Sequence, residues 1–228
     1  MNHARPLLIG IAGGSGSGKT WLSRRIAMAF PGQVARVSLD DFYRDRSHLP
    51  PGTRRRINYD HPRAIDWPLL LQFLENYRDG IRPILPRYDF TTHSRGPSVP
   101  CELKPILVIE GLWTLARREL RQIFDATVYV DCPPRLRLER RIARDTTERG
   151  RSAREVRAQF RQSVAPMHTI HVAPQKLQAT TVLTHPVSEA QVEELLAQLR
   201  ARLQRGNLLT LPSPFYRWQE QRDWRDVA

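Results

Sequence analysis

The 228-residue sequence predicts an α/β fold in which a parallel sheet is flanked by helices. Three observations carry that expectation. Short apolar runs alternate with stretches of helical periodicity, the pattern of strands joined by crossover helices. The first run ends in a glycine-rich loop that opens a helix. Several runs end in an acidic residue, and in an open α/β sheet the carboxyl ends of the strands line the ligand crevice.

Leu7–Ala12 is the first expected strand, and it feeds the loop "GGSGSGKT". Gly13, four residues, then Gly18, Lys19 and Thr20 satisfy the P-loop pattern, so the fold is expected to be of the P-loop NTPase type. From Gly13, Gly14, Ser15, Gly16, Ser17 and Gly18 the backbone turns its N–H groups inward around a β-phosphate, and Lys19 bridges the β- and γ-phosphates. Thr20 opens the helix Lys19–Phe30, whose positive end faces the nucleotide, and its hydroxyl is the expected Mg²⁺ ligand. The motif names the phosphoryl donor and not the reaction, because GTPases, motors, helicases and small-molecule kinases share it.

Val34–Leu39 is the second strand and runs into Asp40 and Asp41. From Arg44 to Pro100 the pattern loosens into proline- and arginine-rich sequence with one clear helix, Trp67–Asp79; an ordered excursion of that length is usually functional. Strand Pro105–Ile109 then runs into Glu110, and strand Thr127–Val130 into Asp131. On the helix Pro134–Asp145, Arg137, Arg140, Arg141 and Arg144 lie three or four apart on adjoining faces, before Gly150 breaks the pattern. A helix over Ala153–Val164, a strand over Thr180–Leu183 and a helix over Ser188–Arg205 complete the plan. Residues 1–205 read as one domain, with the excursion at about 44–100 and a lid at about 144–155. Residues 206–228 form a tail whose Phe215, Tyr216, Trp218 and Trp224 suggest docking on the body or a neighbour.

Composition narrows the function modestly. No apolar run approaches the ~20 residues that span a bilayer, so a cytoplasmic protein with no membrane partner is the expectation. Cys101 and Cys132 have no metal-ligand or CxxC spacing and read as ordinary reduced thiols. The net charge of +13 would attract polyphosphates, but it is spread along the chain without a recognition motif, which argues against nucleic acid as a main partner. The guanine-recognition motif Asn-Lys-x-Asp is absent, which argues against a regulatory GTPase.

Phosphoryl transfer to an alcohol needs a carboxylate at the acceptor hydroxyl and a second acid in the Mg²⁺ shell; "VSLDDFYRD" and "VIEGLW" offer one each. Asp40 is preferred over Asp41 as the base, because strand alternation puts the two side chains on opposite faces. The arginines of "RLRLERRIARDTTERGR" sit where a lid would close over the transferring group, balancing its charge and excluding water.

"SLDDFYRD", "NYDHPRAIDW", "YDFTTHSR", "VIEGLW", "RRIARDTTERGR" and "QSVAPMH" follow in an order and spacing that resembles the uridine kinase (uridine-cytidine kinase) family, from about Leu7 to Leu183. The resemblance implies transfer of the γ-phosphoryl of ATP to the 5′-hydroxyl of a pyrimidine ribonucleoside, with Mg²⁺, in pyrimidine salvage, by a homo-oligomer, a tetramer in the family. It makes Asp40 the base with Tyr43 nearby, and gives the ribose 2′- and 3′-hydroxyls to Asp60, Arg141 and Gln159. Tyr88 and His93 would meet the pyrimidine edge beside Phe90. Glu110 would join Thr20 around the metal, and Arg144, Arg149 and Arg151 would act on the phosphates from the lid. Phe42 is expected in the core, Asp89 and Arg95 either tie the loop or face the site, and His168 is structural or nucleotide-adjacent. A nicotinamide riboside, pantothenate or phosphoribulokinase-like kinase is the alternative that shares the donor site.

Overall fold

The computed structural model describes residues 5–54 and 56–206; the tail therefore lies outside the described residues. Strands β1 (Leu7–Gly13), β2 (Val34–Ser38), β5 (Ile106–Gly111), β6 (Ala126–Asp131) and β7 (Thr181–Thr184) form a parallel sheet in the order β2-β5-β1-β6-β7. Strand β1 is buried along its whole length, because a parallel strand covered on both faces has no polar side. Strands β3 (Ile84–Asp89) and β4 (Ser94–Pro100) make a separate antiparallel hairpin. The helices are α1 (Lys19–Ala29), α2 (Pro51–Arg54), α3 (Trp67–Arg78), α4 (Arg118–Ile123), α5 (Pro134–Glu148), α6 (Ala153–Gln159), α7 (Ala165–Met167) and α8 (Glu189–Gly206).

Alternate side chains of the sheet feed two cores. On one face Ile9, Ile11, Val108 and Val128 pack with Leu22 and Ile26 of α1 and Val192, Leu195 and Leu199 of α8. On the other, Leu8, Leu107, Ile109 and Tyr129 pack with Leu70, Phe73, Leu74 and Tyr77 of α3 and with Phe42 and Trp113. Helix α3 is started by Asp66, whose carboxylate accepts from the Leu69 N–H at 3.4 Å, and α6 by a reciprocal capping box between Ser152 and Glu155.

Three expectations need correction. The excursion holds the hairpin β3–β4 as well as α3. The strand before Asp40 stops at Ser38, and Leu39–Phe42 is a turn of 3₁₀ helix started by the Ser38 hydroxyl, which accepts from the Asp40 N–H at 3.2 Å. Strand alternation therefore does not separate Asp40 from Asp41. Finally, the helix expected over Ala153–Val164 continues, through wider π-helical turns over Phe160–Val164 and His168–Val172, to a 3₁₀ turn ending at Gln178.

Leu195 is 2 % exposed and joins α8 to the sheet. Leu195→Ala is expected to cost about 2–5 kcal/mol in a urea denaturation experiment, with no change in nucleotide affinity.

Candidate active site

The carboxyl ends of β1, β2 and β5 open into a cavity of about 1870 Å³, with the loop Ser15–Thr20 at one end and an aromatic pocket at the other. The loop is shaped by close packing. Gly18 caps α1 with φ +108°, and Gly16 sits at φ +79° where a methyl group would lie 2.5 Å from the Arg137 carbonyl oxygen of α5. Only glycine accepts that backbone and that approach together. Gly13 and Gly14 do not line the cavity: Gly13 packs on the Val130 carbonyl and Gly14 on Arg137 and His168. His168, neutral because burial and the neighbouring Arg137 push its pKa down to about 4, lies behind the loop with Nε2 3.4 Å from the Tyr129 hydroxyl. It packs against the loop at Gly14 without lining the main cavity.

Lys19 is buried, and its Nζ donates to the Gly14 carbonyl at 3.0 Å. Burial lowers its pKa, opposed by the charges of Glu110 and Asp40. The Thr20 hydroxyl donates to Glu110 Oε1 at 2.7 Å, which places two hard oxygen donors side by side next to the phosphate loop. An oxygen-only pair of this kind suits Mg²⁺, which is typically held by one or two protein oxygens plus substrate phosphates. Asp40 stands in the wall between loop and aromatic pocket. Burial, then the negative charge of Glu110, raise its pKa from 3.8 to about 6, with Lys19, Arg149 and Arg144 pulling the other way. Asp41 turns to the hairpin instead, where it accepts from the Tyr88 N–H at 3.4 Å and lies 3.7 Å from Arg87.

The far end is built on the hairpin and the segment before α3. Tyr43, Tyr88, Phe90 and His93 all line it. Tyr43 is held in place by its hydroxyl, which donates to the Tyr59 carbonyl at 3.0 Å, and its ring lies 5.0 Å from Tyr88. His93, at φ +52°, stacks on Tyr59 at 4.7 Å and 12°. Asp89 accepts from the Thr91 N–H at 2.7 Å and the Thr92 hydroxyl at 2.8 Å; Arg95 donates to the Tyr43 carbonyl at 2.9 Å and pairs with Asp66 at 3.0 Å. Both tie the loop.

The lid completes the wall. Arg141 donates to the Ser15 hydroxyl at 2.9 Å and to Gln159 Oε1 at 3.0 Å, while Arg151 also donates to Gln159. Asp60 lines the same cavity and accepts from the Ser163 hydroxyl at 3.1 Å. The Arg149 guanidinium lies 4.8 Å from the centre of the Phe90 ring, so lid and hairpin meet across the opening. Two residues of the site were not anticipated. Tyr59 stands beside Asp60 in "NYDHP", and Asp145 is hidden among the arginines of α5, where it is fully buried.

A P-loop, an acidic wall, an arginine cluster and an aromatic pocket around one cavity have the plan of a P-loop kinase. The chain belongs to the Phosphoribulokinase / Uridine kinase family, whose model matches residues 8–193. It is 40% identical over 204 residues to the uridine kinase of Deinococcus deserti, covering 88% of this chain and 99% of that one. It is 41% identical over 182 residues to the uridine kinase of Staphylococcus haemolyticus, covering 79% and 88%. The same fold is seen in a putative fructose transport system kinase from Silicibacter sp. TM1040 (TM-score 0.62, 19% identity, 79% of this chain and 90% of that one). It is seen again in the phosphoribulokinase of Rhodobacter spheroides (TM-score 0.59, 15% identity, 80% and 71%). No helix among the described residues is long and apolar enough to cross a membrane.

Because the folded state raises the Asp40 pKa, its neutral carboxyl favours folding. That contribution is complete below the unfolded pKa of about 4 and is lost as the pH rises through about 6. Asp40→Asn is therefore expected to raise the melting temperature relative to the parent at pH 7.5, with the difference shrinking toward pH 4.

Proposed function

We propose that the chain transfers the γ-phosphoryl group of ATP to the 5′-hydroxyl of uridine or cytidine, yielding UMP or CMP as in pyrimidine salvage. The observation that carries this reading is the single cavity in which Asp40 stands between a phosphate loop and a pocket walled by Tyr43, Tyr88, Phe90 and His93. An aromatic box with a few polar groups suits a planar base. The kinship with proteins named uridine kinase supports the same acceptor.

In this reading Gly13 to Thr20 hold the ATP phosphates, with Ser15–Thr20 at the cavity surface, and Lys19 leaves the Gly14 carbonyl for the β- and γ-phosphates. Thr20 and Glu110 would hold Mg²⁺, which supplies charge neutralisation on the phosphates. Asp60, Arg141 and Gln159 take the ribose 2′- and 3′-hydroxyls, while Tyr88, His93 and Phe90 take the pyrimidine. A site that bonds both hydroxyls rejects a deoxyribose, because its buried polar groups are then left unpaired. Asp40 accepts the proton of the 5′-hydroxyl as that oxygen bonds to the γ-phosphorus and the bond to the departing ADP oxygen breaks. Arg144, Arg149 and Arg151 balance the charge on the transferring group. Arg149 against Phe90 closes the path by which water would compete as acceptor.

Three measurements test the reading. ATP with uridine or cytidine is expected to give the 5′-monophosphate by mass, with deoxyuridine, adenosine, nicotinamide riboside and pantothenate poor; turnover of one of the last two instead would move the chain to a different acceptor. Asp40→Asn is expected to lower kcat by about 100-fold or more while ATP still binds. Since Asp40 works as the ionised base, kcat/KM for the nucleoside should rise with pH and level off above about 6. A flat profile between pH 5 and pH 7 would remove Asp40 from that role.

A further inference from the structure

Asp145 has no counterpart in the chemistry just described, yet it is the most enclosed acid of the site. It is 0 % exposed, one turn beyond Arg141 on the inward face of α5. Four guanidinium groups surround it: Arg144 at 2.8 Å, Arg141 at 3.5 Å, Arg151 at 3.7 Å and Arg149 at 3.8 Å. Its own backbone carbonyl accepts from the Arg151 N–H at 3.1 Å, which folds the chain back just after Gly150, at φ +61°. The carboxylate thus sits at the centre of the lid's reversal.

The close charges are uneven: within 4.0 Å one carboxylate faces four guanidiniums, while Asp40, Asp60 and Glu155 act on the same arginines from farther away. Without Asp145 the four guanidiniums would repel one another and spread into solvent. With it they stay gathered but unsaturated. Only Arg144 makes a well-formed hydrogen bond to the carboxylate, from Nε to Oδ1 at 2.9 Å, and the other three stand beyond that range. Arg144, Arg149 and Arg151 keep 35 %, 34 % and 31 % of their side chains exposed and line the cavity, whereas Arg141 keeps 7 %. A cluster with a single carboxylate at close range and three partly exposed guanidiniums lining the cavity is matched by a polyphosphate.

We propose that Asp145 is the positioning residue of the lid: it gathers Arg144, Arg149 and Arg151 around one buried charge, so that they meet the transferring phosphoryl group already ordered. Pre-set charge stabilises a transition state without reorganisation during the reaction, and a displaced group loses that benefit. The ion pairs themselves are weak grounds for a stabilising role, since a buried carboxylate must first be stripped of water. The inference rests on the kinase reading above.

The test is kcat per ADP-binding site in Asp145→Asn, which keeps the shape and removes the charge, and in Asp145→Ala with and without saturating formate. ADP lacks the γ-phosphate, so its affinity reports the phosphate loop and the fold. The expected result is ADP affinity within about threefold of the parent, nucleoside KM little changed, and kcat down about 100-fold in both variants. Formate is expected to restore part of the rate to Asp145→Ala and none to Asp145→Asn. A role in folding alone would lower the number of ADP-binding sites while each remaining site kept its rate. Rates per site within threefold of the parent, or loss of ADP binding in both variants, would overturn the proposal. Should the parent itself fail to phosphorylate uridine or cytidine, the acceptor reading falls alone. Asp145 is then judged by the preference for ATP over ADP, which both variants must lose; an unchanged preference overturns it.

Discussion

The close approach of helix α5 to the phosphate loop is the contact on which the site depends. Backbone N–H groups can surround a phosphate only where the chain turns tightly, and here the turn is pressed against the first turn of α5, with room for a hydrogen and not a methyl at Gly16. The same helix then holds the loop with side chains. Arg141 binds the Ser15 hydroxyl, and Arg140 reaches the Gly16 and Ser17 carbonyls at 3.4 and 3.3 Å. One rigid element therefore sets the donor loop at its start and carries Arg144 and Asp145 near its end, so their distance from the loop is fixed by helix geometry, while Arg149 and Arg151 follow in the turn beyond it.

That economy of parts has an electrostatic consequence. Asp40, Glu110 and Lys19 are drawn together at the ends of three strands, where burial opposes the charges of Asp40 and Lys19. The raised pKa of Asp40 and the lowered pKa of Lys19 are two signs of the same strain: each group is held where burial disfavours its charged form. Proteins tolerate such local cost at functional sites and offset it in the surrounding structure. The offset here is the two-sided core, whose apolar packing runs under the whole site.

The sheet was legible because a parallel strand buried on both faces writes a continuous apolar run, as in "LLIGIA" and "ILVI". The hairpin was not, because its strands are short of apolar residues, carry Pro86, Pro97 and Pro100, and shift register between Leu85 and Arg87. Strand alternation does not divide Asp40 from Asp41, because the strand ends at Ser38; what divides them is a 3₁₀ turn that commits Asp41 to the hairpin. Asp145 left no trace in the pattern because a lone acid in a basic run looks like an ordinary helix pair. Tyr59 was overlooked beside Asp60 for a similar reason: its importance comes from His93, far along the chain, stacking on its ring.

The arginine excess takes on a different meaning once the site is assembled. A planar guanidinium can stack and donate at once, and these arginines do so: Arg137 lies 5.7 Å from the Phe160 ring centre while its Nε donates to the Cys132 carbonyl at 3.1 Å. Arg141 divides its fork between Ser15 and Gln159. An ammonium group is a compact point charge without the planar fork that lets a guanidinium stack by its face and donate from its edge. Lysine is correspondingly confined to Lys19, whose buried Nζ donates to the Gly14 carbonyl, and to the surface pairs Lys104–Glu102 and Lys176–Asp131. Part of the arginine excess is therefore framework: Arg140 and Arg141 tie the phosphate loop to α5 and α6 through fixed acceptors.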